Sequence, residues 1–215
     1  MSTTATSTAK PLVVVTGASS GIGEACARAF AAQGNPVLAL ARRQKEMEEK
    51  FADNDLITAV KCDVTVPESI TSAIAAAEAK HGPVDCFVNN AGVMLLHDFA
   101  TQDEKEFDLM LQVNIRGVIN GLRAVLADMK TRKRGTIINV SSIAGLKGFA
   151  NHAVYCGTKF AVRGITEVLR EECAPLNVRF VSICPGAVAT ELLGHTTDAG
   201  VIDGYEDWKK TMGLG

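Results

Sequence analysis

Residues 11–23 read PLVVVTGASSGIG. The first half, Leu12, Val13, Val14 and Val15, has the composition of a parallel strand buried on both faces. The second half places glycines at Gly17, Gly21 and Gly23 and leads into an Ala-rich segment over 21–33 that reads as a helix stopped by Gly34. A strand that ends in glycines and feeds a helix aims backbone N–H groups and the positive helix end at an anion. Gly17 permits a tight turn, Gly21 lets the backbone approach a pyrophosphate, and Gly23 lets helix and strand pack closely. The spacing is G-x-x-x-G-x-G, not the G-x-G-x-x-G dinucleotide fingerprint. The argument for a nucleotide site therefore rests on the junction between strand and helix.

Outward from this loop, strand and helix alternate. Strands are expected over 11–16, 36–41, 56–62, 84–88, 136–140 and 178–183. Helices are expected over 21–33, 44–51, 67–81, 103–130 and 152–173, the third opening on Pro67 and closing at Gly82. Such alternation implies a parallel sheet covered on both faces. The expected fold is α/β, a Rossmann-like doubly wound sheet in a three-layer α/β/α sandwich. No linker or internal repeat interrupts it. The organisation expected is a disordered tail over 1–10, a dinucleotide-binding and catalytic domain over 11–190 and a substrate-loop region over 191–215.

Composition narrows the function. A chain of 215 residues suits one domain. With 47% hydrophobic and 21% charged residues it is not an extended disordered protein. The net charge of −2 lacks the basic excess of a nucleic-acid binder, so no nucleic-acid partner is expected. No apolar stretch approaches the roughly 20 residues of a membrane span, and MSTTATSTAK has no apolar signal core. No membrane partner is expected, and a cytoplasmic location is. The six cysteines form no C-x-x-C pair and read as buried free thiols. The four histidines show no ligand spacing with them, so no metal site is expected. The basic run Lys130, Arg132, Lys133 and Arg134 reads as a solvated connection between helix and strand.

The end of the second strand bears on the choice of cofactor. An acid about 20 residues beyond the glycine loop would bind the ribose hydroxyls of NAD, whereas an arginine there accommodates the extra phosphate of NADP. The sequence reads Ala41, Arg42, Arg43, and Ala41 stands 18 residues after Gly23 with no acid beside it. NADP(H) is the expected cofactor, with Arg42 as the principal phosphate partner and Arg43 stacked on the adenine or solvated.

Tyr155 and Lys159, four apart in a helical segment, share one face. A tyrosine near its ordinary pKa of about 10 is a poor base at neutrality. A neighbouring ammonium is expected to lower that value and make it a proton donor and acceptor for a carbonyl or alcohol oxygen. The chain has a second such pair, Tyr205 and Lys209. Context separates them: Tyr155 follows the fifth strand, which ends in Ser141 and Ser142, and ligands of open parallel sheets bind beyond the carboxyl ends of strands. Tyr205 has Leu192 where Tyr155 has Ser142, 13 residues earlier, and reads as a surface or lid residue.

Taken together these motifs resemble the short-chain dehydrogenase/reductase family over residues 11–191. They are TGASSGIG, CDVT around Asp63, NNAG at Asn89 to Gly92, Asn114, INVSS ending at Ser142, YCGTK from Tyr155 to Lys159, and PGAVAT from Pro185 to Thr190. The resemblance implies Tyr155 as acid/base. It implies that Lys159 tunes Tyr155 and binds the nicotinamide ribose, that Ser142 polarises the substrate oxygen, and that Ser141 is structural. Asn114 would hold a water in a proton relay to Lys159. The cofactor is implied to lie against Gly17, Ser19, Ser20, Gly21, Ile22 and Gly23, against Asp63 and Val64 at the adenine, and against Asn90, Ala91 and Gly92 at a ribose. Pro185, Gly186, Val188 and Thr190 would hold the carboxamide end.

The implied function is hydride transfer between NADP(H) and a small-molecule alcohol or carbonyl substrate, in a possible homodimer or homotetramer. The alternative is a catalytically silent NADP-binding regulatory or structural protein. The presence of Tyr155, Lys159 and Ser142 argues against it. The resemblance implies a further helix and a seventh strand after the substrate loop; residues 191–215 are expected to lack both, and if they are all that follows, the sixth strand is left at an exposed edge. Candidate pocket residues are Val93, Met94, Leu95, Leu96, Leu146, Phe149, Leu192 and Leu193.

Overall fold

The computed structural model describes residues 10–188, 190–196 and 199–211. The expected tail over 1–10 lies, Lys10 apart, outside the described residues. Six parallel strands form one sheet: β1 (Leu12–Thr16), β2 (Val37–Ala41), β3 (Ile57–Lys61), β4 (Val84–Asn89), β5 (Gly135–Val140) and β6 (Val178–Ile183). Their order is β3-β2-β1-β4-β5-β6. The helices are α1 (Gly21–Ala32), α2 (Gln44–Lys50), α3 (Pro67–His81), α4 (Glu104–Met110), α5 (Gly117–Arg132), α6 (Ala153–Cys173) and α7 (Ala199–Thr211).

The apolar run of β1 explains the layering. Successive side chains point to opposite faces. Leu12 and Val14 enter one core with Phe87, Ile70 of α3, Leu122 of α5 and Val162 of α6, while Val13 and Val15 enter a second with Ala27 and Ala31 of α1 and Met47 of α2. A sheet buried on both sides needs this continuous valine run, and the doubly wound three-layer expectation is borne out. The strand order reverses between β1 and β4, and the carboxyl ends of these strands open the crevice where such folds bind ligands. Among the described residues β6 is an outer strand.

Two expectations are corrected. The helix expected over 103–130 runs unbroken from Glu104 to Arg132 but is not α-helical throughout: α4 passes into a wider turn of π-helix, Leu111–Arg116, before α5 begins. That turn carries Asn114, whose amide pairs with the backbone of Val93. Periodicity does not reveal one extra residue in a turn. The basic run 130–134 is not merely solvated: Arg132 donates to the carbonyl of Val84 at 2.7 Å, and Arg134 pairs with Asp85 at 2.6 Å. These two arginines fasten the end of α5 to the start of β4.

Candidate active site

A cleft of about 1080 Å³ opens beyond the carboxyl ends of the strands. Every candidate cofactor-binding residue except Gly23 lines it, as do Ser142, Tyr155 and Lys159, while Asn114 sits behind Gly92. Gly17 has φ +66°, and a Cβ there would come within 2.8 Å of the backbone of Ala91. A Cβ on Gly23 would meet the carbonyl oxygen of Gly17 at 2.3 Å, so Gly23 serves the packing of α1 on β1. The loop is tied to the neighbouring strand end. The Asn90 amide donates to the carbonyls of Thr16 (2.9 Å) and Gly17 (3.2 Å), and the Thr16 hydroxyl accepts from the N–H groups of Asn90 and Ala91.

Where β2 ends, Arg42 and Arg43 both line the cleft and differ in their partners. Arg43 reaches the glycine loop: its guanidinium donates to Ser19 Oγ at 3.0 Å, to Ser20 Oγ at 3.1 Å and to Glu191 at 2.9 Å. It also pairs with Glu46. Lys50 Nζ donates to the carbonyl of Ser19 at 2.7 Å, adding a second cation behind the loop. Arg42 is exposed, and its charge acts on Asp63. Arg43 is the residue at the N-terminal boundary of α2, and its side chain makes no capping hydrogen bond there. Glu191, 148 residues from Arg43, carries no signal in the sequence. Arg43 holds its carboxyl below the usual range.

At the catalytic end, Ser141 and Ser142 leave β5 in opposite directions. The Ser141 hydroxyl is buried and donates to the backbone carbonyl of Lys159 at 2.9 Å, which fixes α6 against the sheet. The Ser142 hydroxyl accepts from the N–H of Ala144 and acts on the Tyr155 hydroxyl, lowering its pKa against burial. Lys159 Nζ lies 5.7 Å from the centre of the Tyr155 ring and donates to the carbonyl of Val140 at 3.1 Å. Asn114 uses both amide hydrogens, on Val93 O (2.9 Å) and Thr158 Oγ1 (3.1 Å), while its Oδ1 accepts from Val93 N. One lone pair on that oxygen is left for a further donor.

The expected lowering of the Tyr155 pKa is not found. Burial pushes it up to about 12, outweighing the effect of Ser142. Burial also brings Lys159 down to about 8. Tyr155 is 4% exposed and Lys159 6%, so removal from water dominates both, and the ammonium is turned toward Val140. With its pKa so raised, the Tyr155 phenol keeps its proton throughout the neutral range.

The outer wall comes from the Glu191–His195 turn and α7. Of the candidate pocket residues, Val93, Met94, Phe149, Leu192 and Leu193 line the cleft, whereas Leu95 and Leu96 are buried in the core and Leu146 is 51% exposed. Tyr205 and Lys209 line the same cleft as Tyr155. His152 also lines it and was not anticipated. Among the described residues no cluster of metal-ligating side chains occurs, and no helix is long and apolar enough to cross a membrane.

This geometry can be set beside known proteins. The profile of the short chain dehydrogenase family matches residues 11–199. An uncharacterized oxidoreductase of Staphylococcus saprophyticus is 42% identical over 191 residues, covering 87% of this chain and 78% of that protein. Among solved structures, the closed form of a serine dehydrogenase complexed with NADP+ superposes with a TM-score of 0.85 at 33% identity, over 90% of this chain and 80% of the other. A 3-ketoacyl-(acyl-carrier-protein) reductase from Brucella melitensis complexed with NADH gives a TM-score of 0.82 at 32% identity, over 87% and 80%.

Proposed function

The chain belongs to the short-chain dehydrogenase family of oxidoreductases, and on that premise we propose that it reduces a small carbonyl compound with NADPH, using Tyr155 as the proton donor. The observation that carries this reading is the convergence of Ser142, Tyr155 and Lys159 at one end of the cleft. When bound, the nicotinamide supplies the hydride. Everything else falls to this chain's own residues.

Ser142 and Tyr155 hold the substrate oxygen by hydrogen bonds that strengthen as negative charge develops on it. Tyr155 then gives up its proton to the forming alkoxide. In the direction of oxidation it must take that proton back, and burial opposes this by disfavouring the tyrosinate. Burial of the phenol thus favours reduction at neutral pH. Lys159 offers a positive charge to the departing proton's site, and Asn114 offers its remaining lone pair to a water in the proton path.

The fit to the cofactor rests on the chemistry at the adenosine end. Arg43, Ser19 and Ser20 form a donor cluster suited to a phosphate, with Lys50 behind it and no acid at Ala41. Glu191 now takes one arm of Arg43, and a 2′-phosphate would take its place. NADP-bound and NADH-bound relatives both superpose on this chain, so this cluster, not the fold, supports NADPH. A charge-assisted hydrogen bond contributes about 1.5–3 kcal/mol. At this exposed site the lower part of that range applies, a preference of about 10-fold.

The test is loss of reduced-cofactor absorbance on adding a panel of small aldehydes and ketones, with NADPH and NADH in parallel. Turnover with a higher kcat/KM for NADPH is expected, and Arg43→Ala should remove most of the preference while Arg42→Ala removes little. Cofactor binding without consumption on any carbonyl compound would overturn the reading.

A further inference from the structure

His152 stands at the substrate end of the cleft, and among the described residues one of its ring nitrogens is committed and the other is not. The commitment is made by the backbone. Asn151 has φ +61°, a left-handed conformation that asparagine tolerates better than most residues. The chain folds back there, and the carbonyl of Ala150 meets His152 Nδ1 at 2.6 Å. A carbonyl can only accept, so Nδ1 carries the hydrogen. In a neutral imidazole the opposite nitrogen, Nε2, is then an acceptor. Burial lowers the His152 pKa from its ordinary value, against the hydrogen bond to Ala150, so the neutral ring is the form present at pH 7 and above.

The ring is held by aromatic neighbours. Its centroid lies 5.7 Å from that of Phe149, 6.3 Å from Tyr155 in an edge-on arrangement and 6.1 Å from Tyr205. All four side chains line the cleft. Nε2 has no hydrogen-bond partner among the described residues. Met94, Leu192 and Leu193 line the same cleft and belong to one apolar cluster with Tyr155, Phe149 and Tyr205. An acceptor fixed beside such a cluster rejects a substrate that covers it without offering a donor.

We propose that His152 selects the substrate, accepting at Nε2 a hydrogen bond from a hydroxyl or N–H within two carbons of the reacting carbonyl. The substrate class is therefore hydroxy- or amino-substituted carbonyl compounds, together with the alcohols they give on reduction. This rests on the reading of the site as a carbonyl reductase and deepens it. Phe149 and Tyr205 hold the ring, and Asn151 sets the face it presents.

The test uses isosteric pairs. Hydroxyacetone and butanone differ by a hydroxyl for a methyl beside the carbonyl, and 4-hydroxy-2-butanone and 2-pentanone differ in the same way one carbon further out. The wild-type enzyme with NADPH is expected to prefer the hydroxy ketone of at least one pair by 10-fold or more in kcat/KM. His152→Phe keeps a ring in the aromatic group and removes the acceptor, so the preference should fall to within about twofold of unity. His152→Gln keeps an acceptor and should retain part of it. The ratio within a pair is the readout because general damage to the fold lowers both members together. Equal kcat/KM within both pairs for the wild type, a preference surviving in His152→Phe, or a Gln variant that behaves like Phe would each overturn the role of His152 alone. No turnover of any carbonyl compound would overturn the reading of the site itself and this inference with it.

Discussion

Two Tyr-x-x-x-Lys pairs face one cleft, Tyr155 with Lys159 on α6 and Tyr205 with Lys209 on α7. Their spacing is identical and their environments are not. Tyr155 is almost wholly buried against the sheet with Ser142 beside it, and Lys159 is buried with its ammonium on a strand carbonyl. Tyr205 is half-buried on an outer helix. Lys209 pairs with both carboxylate oxygens of Glu206, one turn away, at 3.2 Å. The same spacing places two groups on one face. Burial and third partners decide what those groups can do. In the first pair burial moves the lysine down to about 8, whereas in the second the lysine's charge is met by its own helix.

The comparison breaks most sharply at the phenols. Tyr155→Phe should lower kcat by about 10²–10⁴-fold, the usual cost of losing a general acid, with NADPH affinity nearly intact. Steady-state turnover and cofactor titration on the same preparation check both halves. A rate within tenfold of wild type would place the proton donor elsewhere.

The lysines sharpen it through stability as well as rate. Lys159→Met should cost turnover heavily yet raise the melting temperature at pH 7, because it removes an ammonium that burial disfavours. The sign follows from the lowered pKa. Between about 8 and the ordinary value of 10.5 the unfolded chain binds more protons than the folded one, so wild-type stability rises with pH there. The penalty is fully present below about pH 8. The gain from Lys159→Met should be about 1–3 kcal/mol at pH 7 and should vanish above pH 10.5, as read by thermal denaturation across that range. The kcat/KM for NADPH in reduction should fall as pH rises through about 8, since Lys159 loses its charge while Tyr155 stays protonated to about 12.

The smallest effects belong to the outer pair. Tyr205→Phe should change kcat less than about threefold and act mainly on the KM of the carbonyl substrate. Lys209→Met removes a partly exposed ion pair and should alter stability by less than about 1 kcal/mol. A loss of turnover in either variant as large as in Tyr155→Phe would erase the distinction between the pairs.

What the sequence discloses follows from how local each feature is. The valine run of β1, the glycines after it and the pair on α6 each declare themselves within a few residues, and the strand–helix alternation carries the sheet with it. The Arg43–Glu191 pair joins residues far apart in the chain, and neither residue is unusual where it stands. The widened turn around Asn114 preserves helical composition and changes only the winding. The pKa of Tyr155 depends on how much protein surrounds it, a quantity of the packed structure. His152 depends on the left-handed backbone of the preceding asparagine. An Asn-His step before a helix is a faint sequence sign that becomes legible once the carbonyl of Ala150 is seen on the ring.

The central claim is that this cleft carries out hydride transfer with Tyr155 supplying the proton. Incubating the enzyme with NADPH deuterated on the transferring face of nicotinamide C4 and a hydroxy ketone tests it most directly, with the product analysed by mass spectrometry. Wild type should give an alcohol with one deuterium on the carbinol carbon, and Tyr155→Phe should give almost none in the same time, while Tyr205→Phe should resemble wild type. Deuterium reaching the product at an undiminished rate in Tyr155→Phe, or in none of the three enzymes, would contradict the account.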